Sequence, residues 1–147
     1  MADEVGGPRL RPQFAALRTI TTRWDDEDVY GHVNNVVYYS YFDTAVNGFL
    51  LATTGTDTRR LDAVGLVAET QCEFLRELRF PDDVEVGLAV TRLGTSSIVY
   101  RLAIFQGDSD EPAALGRFVH VYVDAQTRAV TPVPDLIRAA VTPLVVA

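Results

Sequence analysis

The chain has 147 residues, of which 48% are hydrophobic and 22% charged, with a formal net charge of −7, a size and balance that suit one globular domain. No apolar run approaches the roughly 20 residues of a membrane span, and Met1 to Pro12 lacks the apolar stretch of a signal peptide, so a soluble cytoplasmic protein with no membrane partner is expected. The negative charge argues against a nucleic-acid partner, and the single Cys72 excludes an intrachain disulfide and reads as buried filler rather than a nucleophile. All 13 basic residues are arginine, so an anionic ligand would be held by planar guanidinium forks.

Residues 1–13 mix Gly, Pro and charge without periodicity and read as a disordered tail, which leaves residues 14–147 as a single domain. Phe14 to Trp24 reads as a strand, and the acidic turn Asp25-Asp26-Glu27-Asp28 follows. From Val36 to Leu51 the apolar spacing is helical. Tyr38, Phe42, Ala45, Val46 and Phe49 form one face, and Val36, Val37, Tyr39, Tyr41, Leu50 and Leu51 cover most of the remaining circumference. Such a helix is expected to be wrapped rather than laid on a surface. Gly55 is placed to close it with a left-handed cap.

The rest alternates like strand: Leu66 to Phe80, then Val84 to Val90 after the Pro81-Asp82-Asp83 turn, then Ser96 to Phe105 and Ala114 to Val123. A short helical segment is expected from Asp135 to Ala140. One strand, one long helix and four strands joined by turns specify an α+β domain, with a curved antiparallel sheet of about five strands wrapped around one central helix. The opposite face of that sheet carries Val99, Ala103 and Phe105, for which a second subunit is the expected cover.

The segment Arg23 to Tyr39 is where chemistry is expected. It is a strand-to-helix junction, which places loop carboxylates beside the free backbone N–H groups of a helix N-terminus and their partial positive charge. That pairing suits attack on a carbonyl. Asp25, Asp26 and Glu27 read as a solvated acidic turn. The spacing Asp26-x-Asp28-x-Tyr30-Gly31 opens like a calcium-binding loop, but its twelfth position is Val37, where a bidentate Glu is required. Two histidines far apart and one cysteine offer no zinc site. No metal and no cofactor is therefore expected.

Asp28-Val29-Tyr30-Gly31-His32-Val33-Asn34-Asn35-Val36-Val37-Tyr38, followed by Tyr41-Phe42-Asp43, by Asp124-x-x-Thr127 and by a Pro-x-Pro turn, resembles the hotdog-fold acyl-CoA thioesterases of the 4-hydroxybenzoyl-CoA thioesterase type. The long-chain acyl-CoA branch is nearest. The resemblance runs over roughly residues 17 to 140 and implies the hotdog fold, with pairing through the sheet into a homodimer or homotetramer. It implies Asp28 as the catalytic carboxylate, the thioester carbonyl against backbone N–H groups near Asn35, and acyl chain and pantetheine in a crevice between subunits. The sequence departs from the family pattern after Asp43, where Ala45 is followed by Val46 instead of arginine.

An ionised aspartate can activate water or attack the thioester carbon directly, while helix N–H groups hold the oxyanion. His32 is expected to orient the site, and one of Asn34 and Asn35 to cap the helix while the other's amide faces substrate. Tyr30, Asn34, Tyr38 and Phe42 are the expected substrate-binding residues, and Asp43 on the helix is the reserve carboxylate. His120 reads as a packed or interface histidine, and Arg76, Arg79, Arg92, Arg101 and Arg117 are candidates for CoA phosphates. A carrier-protein thioesterase and a non-catalytic acyl-CoA-binding module are the alternatives to a small-molecule acyl-CoA hydrolase.

Overall fold

The computed structural model describes residues 6–146. Its elements in order are β1 (Ala16–Ile20), the long helix α1 (Asn35–Thr54), β2 (Ala63–Phe74), β3 (Val84–Leu93), β4 (Ser97–Gln106), β5 (Ala114–Asp124) and the short helix α2 (Asp135–Val141). The five strands form one sheet in the order β1-β3-β4-β5-β2, antiparallel throughout. Gly55 closes α1 in the left-handed conformation at φ 65°, its N–H donating to the Leu51 carbonyl, as its position after Thr53-Thr54 suggests.

The concave face is lined by alternate residues of the central strands. Ile98, Tyr100, Leu102 and Ile104 of β4 and Val84, Val86, Leu88 and Val90 of β3 are all fully buried, and Tyr38, Tyr41, Phe42, Ala45, Val46 and Leu50 of α1 pack onto them. Phe42 meets Phe118 of β5 edge-on at 5.7 Å. Beneath it lies Gly116, where an added Cβ would stand 2.6 Å from the Phe42 ring. The helix is not wrapped all round, as its apolar circumference suggests. Val36 is 68% exposed, and the flank carrying Tyr39, Asp43 and Asn47 looks across an open crevice at β2.

Turn signals between β2 and β3 suggest neighbouring strands, but the two lie apart in the sheet: β2 pairs with β5 and β3 with β1 and β4. The expected strand from Leu66 to Phe80 accordingly ends at Phe74, and residues 75–83 cross past the start of α1. Leu78 anchors that crossing, with its side chain fully buried and its carbonyl accepting the Val33 N–H at 2.9 Å. The outer face of the sheet also differs from expectation. Phe14 covers it, packing with Ala89, Ala103, Phe105 and Leu115, so this chain itself supplies the cover expected of a second subunit. Residues 6–13, expected within a disordered tail, are fastened beside it. Arg11 pairs with Glu85 and Asp110 and stacks over the Phe105 ring at 5.0 Å, while Arg101 Nε donates to the Pro8 carbonyl at 3.0 Å. Residues 1–5 of that expected tail lie outside the described residues.

The junction before α1 is held by Asp26, which is buried rather than solvated. One carboxylate oxygen accepts the Arg23 backbone N–H at 2.9 Å and the Tyr41 hydroxyl at 2.7 Å. The other accepts Arg23 Nε at 3.1 Å, and the Asp26 carbonyl accepts the Asn34 N–H at 2.8 Å. Burial opposes the charge, but the Tyr41 hydroxyl and the Arg23 donors outweigh it and hold the Asp26 carboxyl below the usual aspartate range. Burial and the same bond push the Tyr41 phenol up. Glu27 is half-buried, its carboxylate accepting the Phe80 N–H at 3.0 Å and tying the crossing segment to the turn.

Two stability outcomes are expected. Gly116→Ala should lower unfolding free energy by about 1–3 kcal/mol in urea titrations, because the Phe42 ring is enclosed and has little room to yield. Tyr41→Phe should cost about 1.5–3 kcal/mol, the range for a hydrogen bond to a charged group. Because the folded-state value of Asp26 is depressed, its contribution is complete above the unfolded pKa of about 3.9 and is lost as pH falls through the lower folded value. Losing the Tyr41 donor raises that folded value, so the acid limb of the stability curve should move to higher pH in the variant.

Candidate active site

The loop from Glu27 to Asn34 is a tight reversal. The Asp28 N–H donates to the His32 carbonyl at 3.0 Å, the Gly31 N–H donates back to the Asp28 carbonyl at 3.1 Å, and Gly31 takes φ 80°, a conformation that favours glycine. Within this loop one Asp28 carboxylate oxygen accepts the Tyr30 N–H at 2.9 Å. That bond fixes the side chain and leaves its second oxygen available. Asp28 is half-buried and lines an open cavity of about 350 Å³ together with His32, Asn35, Tyr38, Phe74 and Arg76.

α1 begins at Asn35, with Asn34 as its N-cap. The Asn34 side chain accepts the Val36 N–H at 3.0 Å and its carbonyl accepts the Val37 N–H at 2.9 Å. The Asn35 N–H, at the first helical position, has no intrahelical acceptor and belongs to a residue of the cavity wall. Asn34 is therefore the asparagine that caps the helix, with its side-chain oxygen taken up by the Val36 N–H.

The remaining expected residues are distributed unevenly. Tyr38 lines the cavity, its hydroxyl donating to the Arg76 carbonyl at 3.2 Å and its ring meeting Phe74 edge-on at 4.9 Å. Phe42 does not line it. It is fully buried between α1 and β5, because one residue four positions after Tyr38 turns further beneath the helix toward Gly116. Tyr30 stands 81% exposed on the loop. His32 hydrogen-bonds Glu77 at 2.8 Å rather than Asp28, so it braces the loop against the crossing segment. Glu77, which no spacing in the sequence connects with His32, is the partner that only the fold supplies.

Asp43, the reserve carboxylate, lies further along α1 with its own open cavity of about 390 Å³ lined by Tyr39, Val67, Thr70 and Phe118. Burial pushes the Cys72 thiol up to about 12, against a thiolate nucleophile. Of the candidate arginines, Arg76 belongs to the Asp28 cavity, Arg101 is buried on the outer face and Arg117 pairs with Glu69. Among the described residues no group of three His, Cys, Asp or Glu is placed to hold a metal ion, and no helix is long and apolar enough to cross a membrane.

Comparison with known proteins gives consistent results. The PA5185 protein of Pseudomonas aeruginosa strain PAO1 is 43% identical, with a TM-score of 0.90 over 95% of this chain and 99% of that one. The PA2801 protein of the same organism, a candidate thioesterase, is 33% identical with a TM-score of 0.80, over 88% of this chain and 100% of that one. A Thermus thermophilus thioesterase solved with coenzyme A and zinc is 28% identical with a TM-score of 0.73, over 89% and 94%. The uncharacterised YsmA protein of Bacillus subtilis is 23% identical over 80% of this chain and 78% of its own length. The family model for the thioesterase-like superfamily matches residues 22–141. With that match spanning the junction, the sheet and the helix it encloses, the chain belongs to the thioesterase-like superfamily.

Proposed function

We propose that this superfamily member hydrolyses the thioester of a fatty or aromatic acyl-CoA to the free acid and CoA, with Asp28 as the reacting carboxylate. The observation that carries the reading is the meeting, in one cavity, of the Asp28 carboxylate, the first residue of α1 and Arg76. The thioester carbonyl oxygen sits against the Asn35 N–H, where the helix terminus favours developing negative charge. Asp28 takes a proton from water as the water oxygen bonds to the carbonyl carbon. The C–S bond then breaks, its electron pair stays on sulfur, and the proton passes to the departing thiolate. Direct attack by the same carboxylate oxygen gives an acyl-aspartyl anhydride that water opens, with the same products. His32, through Glu77, keeps the loop in place, and Tyr38 forms the wall beside the acyl group.

CoA as the leaving group is supported by the coenzyme A bound to the Thermus thermophilus relative and by Arg76 at the cavity, whose guanidinium suits a phosphate. A homo-oligomer is supported by β2. Its twelve residues form an edge strand, and Leu66, Val67 and Phe74 are exposed on it. A long strand edge with apolar side chains is a template for pairing with another copy, and such pairing would cover the open flank of α1.

Asp28→Asn is expected to lower kcat by about 10²–10⁴-fold in a thiol-release assay over a panel of acyl-CoA esters, with little change in thermal stability. Undiminished turnover would assign the carboxylate elsewhere, Asp43 first. Sedimentation of the wild type is expected to show a dimer or a higher even assembly. Leu66→Asp should shift it toward monomer and reduce turnover with it, whereas a monomeric wild type with full activity would remove the subunit crevice from the reading.

A further inference from the structure

The cavity at Asp28 is short of positive charge for the substrate proposed above. Its wall carries two carboxylates, Asp28 and Glu77, against one guanidinium, Arg76, and Arg79 is drawn to Glu77 at 3.6 Å. The leaving group, CoA, is a polyanion with a diphosphate and a sugar phosphate, groups that guanidinium forks match best. Two such forks stand at the other end of β2. A single 3-10 turn, Thr58–Arg60, leads from α1 into the strand and presents Arg59 and Arg60 side by side, both exposed. One carboxylate answers both: Asp57 accepts two bonds from Arg59, at 2.9 and 3.1 Å, and lies 3.5 Å from Arg60. The turn is on the helix side of the sheet, since Thr58 and Arg59 line a cavity there with Asn47 of α1 and Val64 of β2.

Within one subunit these arginines are remote from Asp28. α1 starts beside Phe74 and finishes beside Val64, and the twelve residues of β2 between those ends cover roughly 37 Å at 3.4 Å per residue. Pairing of β2 with its copy across a closed two-fold removes the separation. Neighbouring strands of one sheet related by a two-fold run antiparallel, and the axis stands perpendicular to the sheet, so both concave faces stay on the same side. Full pairing sets the partner subunit's Ala63 opposite Phe74. Any register that pairs two thirds of the strand or more keeps it opposite residues 70 to 78. Arg60 of the partner subunit precedes that position by three residues, at most about 10 Å of chain. The partner's Thr58–Arg60 turn therefore arrives at the end of β2 where Phe74, Arg76 and Glu77 wall the Asp28 cavity.

We infer that the CoA phosphates are held across the subunit boundary, by Arg59 and Arg60 of the partner subunit together with Arg76 of the chain that supplies Asp28. This rests on the thioesterase reading and the β2 pairing above. The test carries one acyl group on CoA and on pantetheine, which lacks the nucleotide phosphates. In the Arg59→Gln/Arg60→Gln double variant the ratio of kcat/KM, CoA ester over pantetheine ester, is expected to fall about 10–100-fold, the worth of hydrogen bonds to a charged group. Mixed dimers of one Asp28→Asn subunit and one double-variant subunit, isolated by two tags, test the sharing. One of their two sites combines an intact Asp28 with intact arginines from the other chain, so about half of wild-type turnover of the CoA ester is expected. Arginines serving their own chain would leave no complete site. An unchanged ratio, a loss confined to esters whose acyl end bears a carboxylate, or mixed dimers no faster than the double variant would overturn the inference and leave the thioesterase reading in place. Calorimetry with CoA alone needs no hydrolysis. If no ester is hydrolysed but CoA binds the wild type about 10–100-fold more tightly than it binds the double variant and Leu66→Asp, the shared phosphate site stands and the thioesterase reading falls. Equal CoA binding by all three would overturn the shared site.

Discussion

The candidate site depends on one buried carboxylate that does no chemistry. Asp26 ties the chain leaving β1, through the Arg23 N–H, to the second turn of α1, through the Tyr41 hydroxyl, and its carbonyl receives the Asn34 N–H. These bonds close the ends of the Asp28 loop onto each other, so the loop has little freedom to swing its carboxylate away from the helix start. A buried charge is tolerated only when its lone pairs are answered. Here the answering groups are also the ones that must be held in register. The acids around it then divide the work: Glu27 fastens the segment that crosses from β2 to β3, and Asp28 is left facing the cavity.

The second constraint is the separation of β2 from β3. Because β2 is carried to the far edge of the sheet beside β5, the connecting segment must pass the N-terminus of α1, and that passage brings Phe74, Arg76 and Glu77 to Asp28 and His32. The same arrangement leaves β2 exposed on both faces. The central strands bury one side of α1, and nothing within the described chain closes the other. A sheet edge and a half-covered helix thus come from one topological choice. On the convex side the chain closes itself, with Phe14 set over Gly87 and packed against Phe105.

Much of this was legible in the sequence because it is local. Helix periodicity marked α1 to within a few residues, Gly55 marked its end, alternation located the strands, and Asp28 stood immediately before a cluster of capping residues. The readings that failed involve partners distant in the chain. Asp26 looks like its acidic neighbours until Tyr41 returns to it one helical approach later. Phe42 and Tyr38 share a helical face by spacing, yet Gly116 receives one into the core and Arg76 holds the other at the cavity. Residues 6–13 look like tail because no periodicity records the sheet face they cover.

The sequence by itself therefore determined the order and kind of the elements, the reversal before α1 and the carboxylate in it, since periodicity, caps and turn residues act over a few positions. Tertiary structure decided which acid is buried, which strand is left at the edge and where His32 finds its partner. Those outcomes depend on pairings across fifteen to more than fifty residues, whose free energy is set by burial and by the groups that meet in it, and no local pattern carries that information.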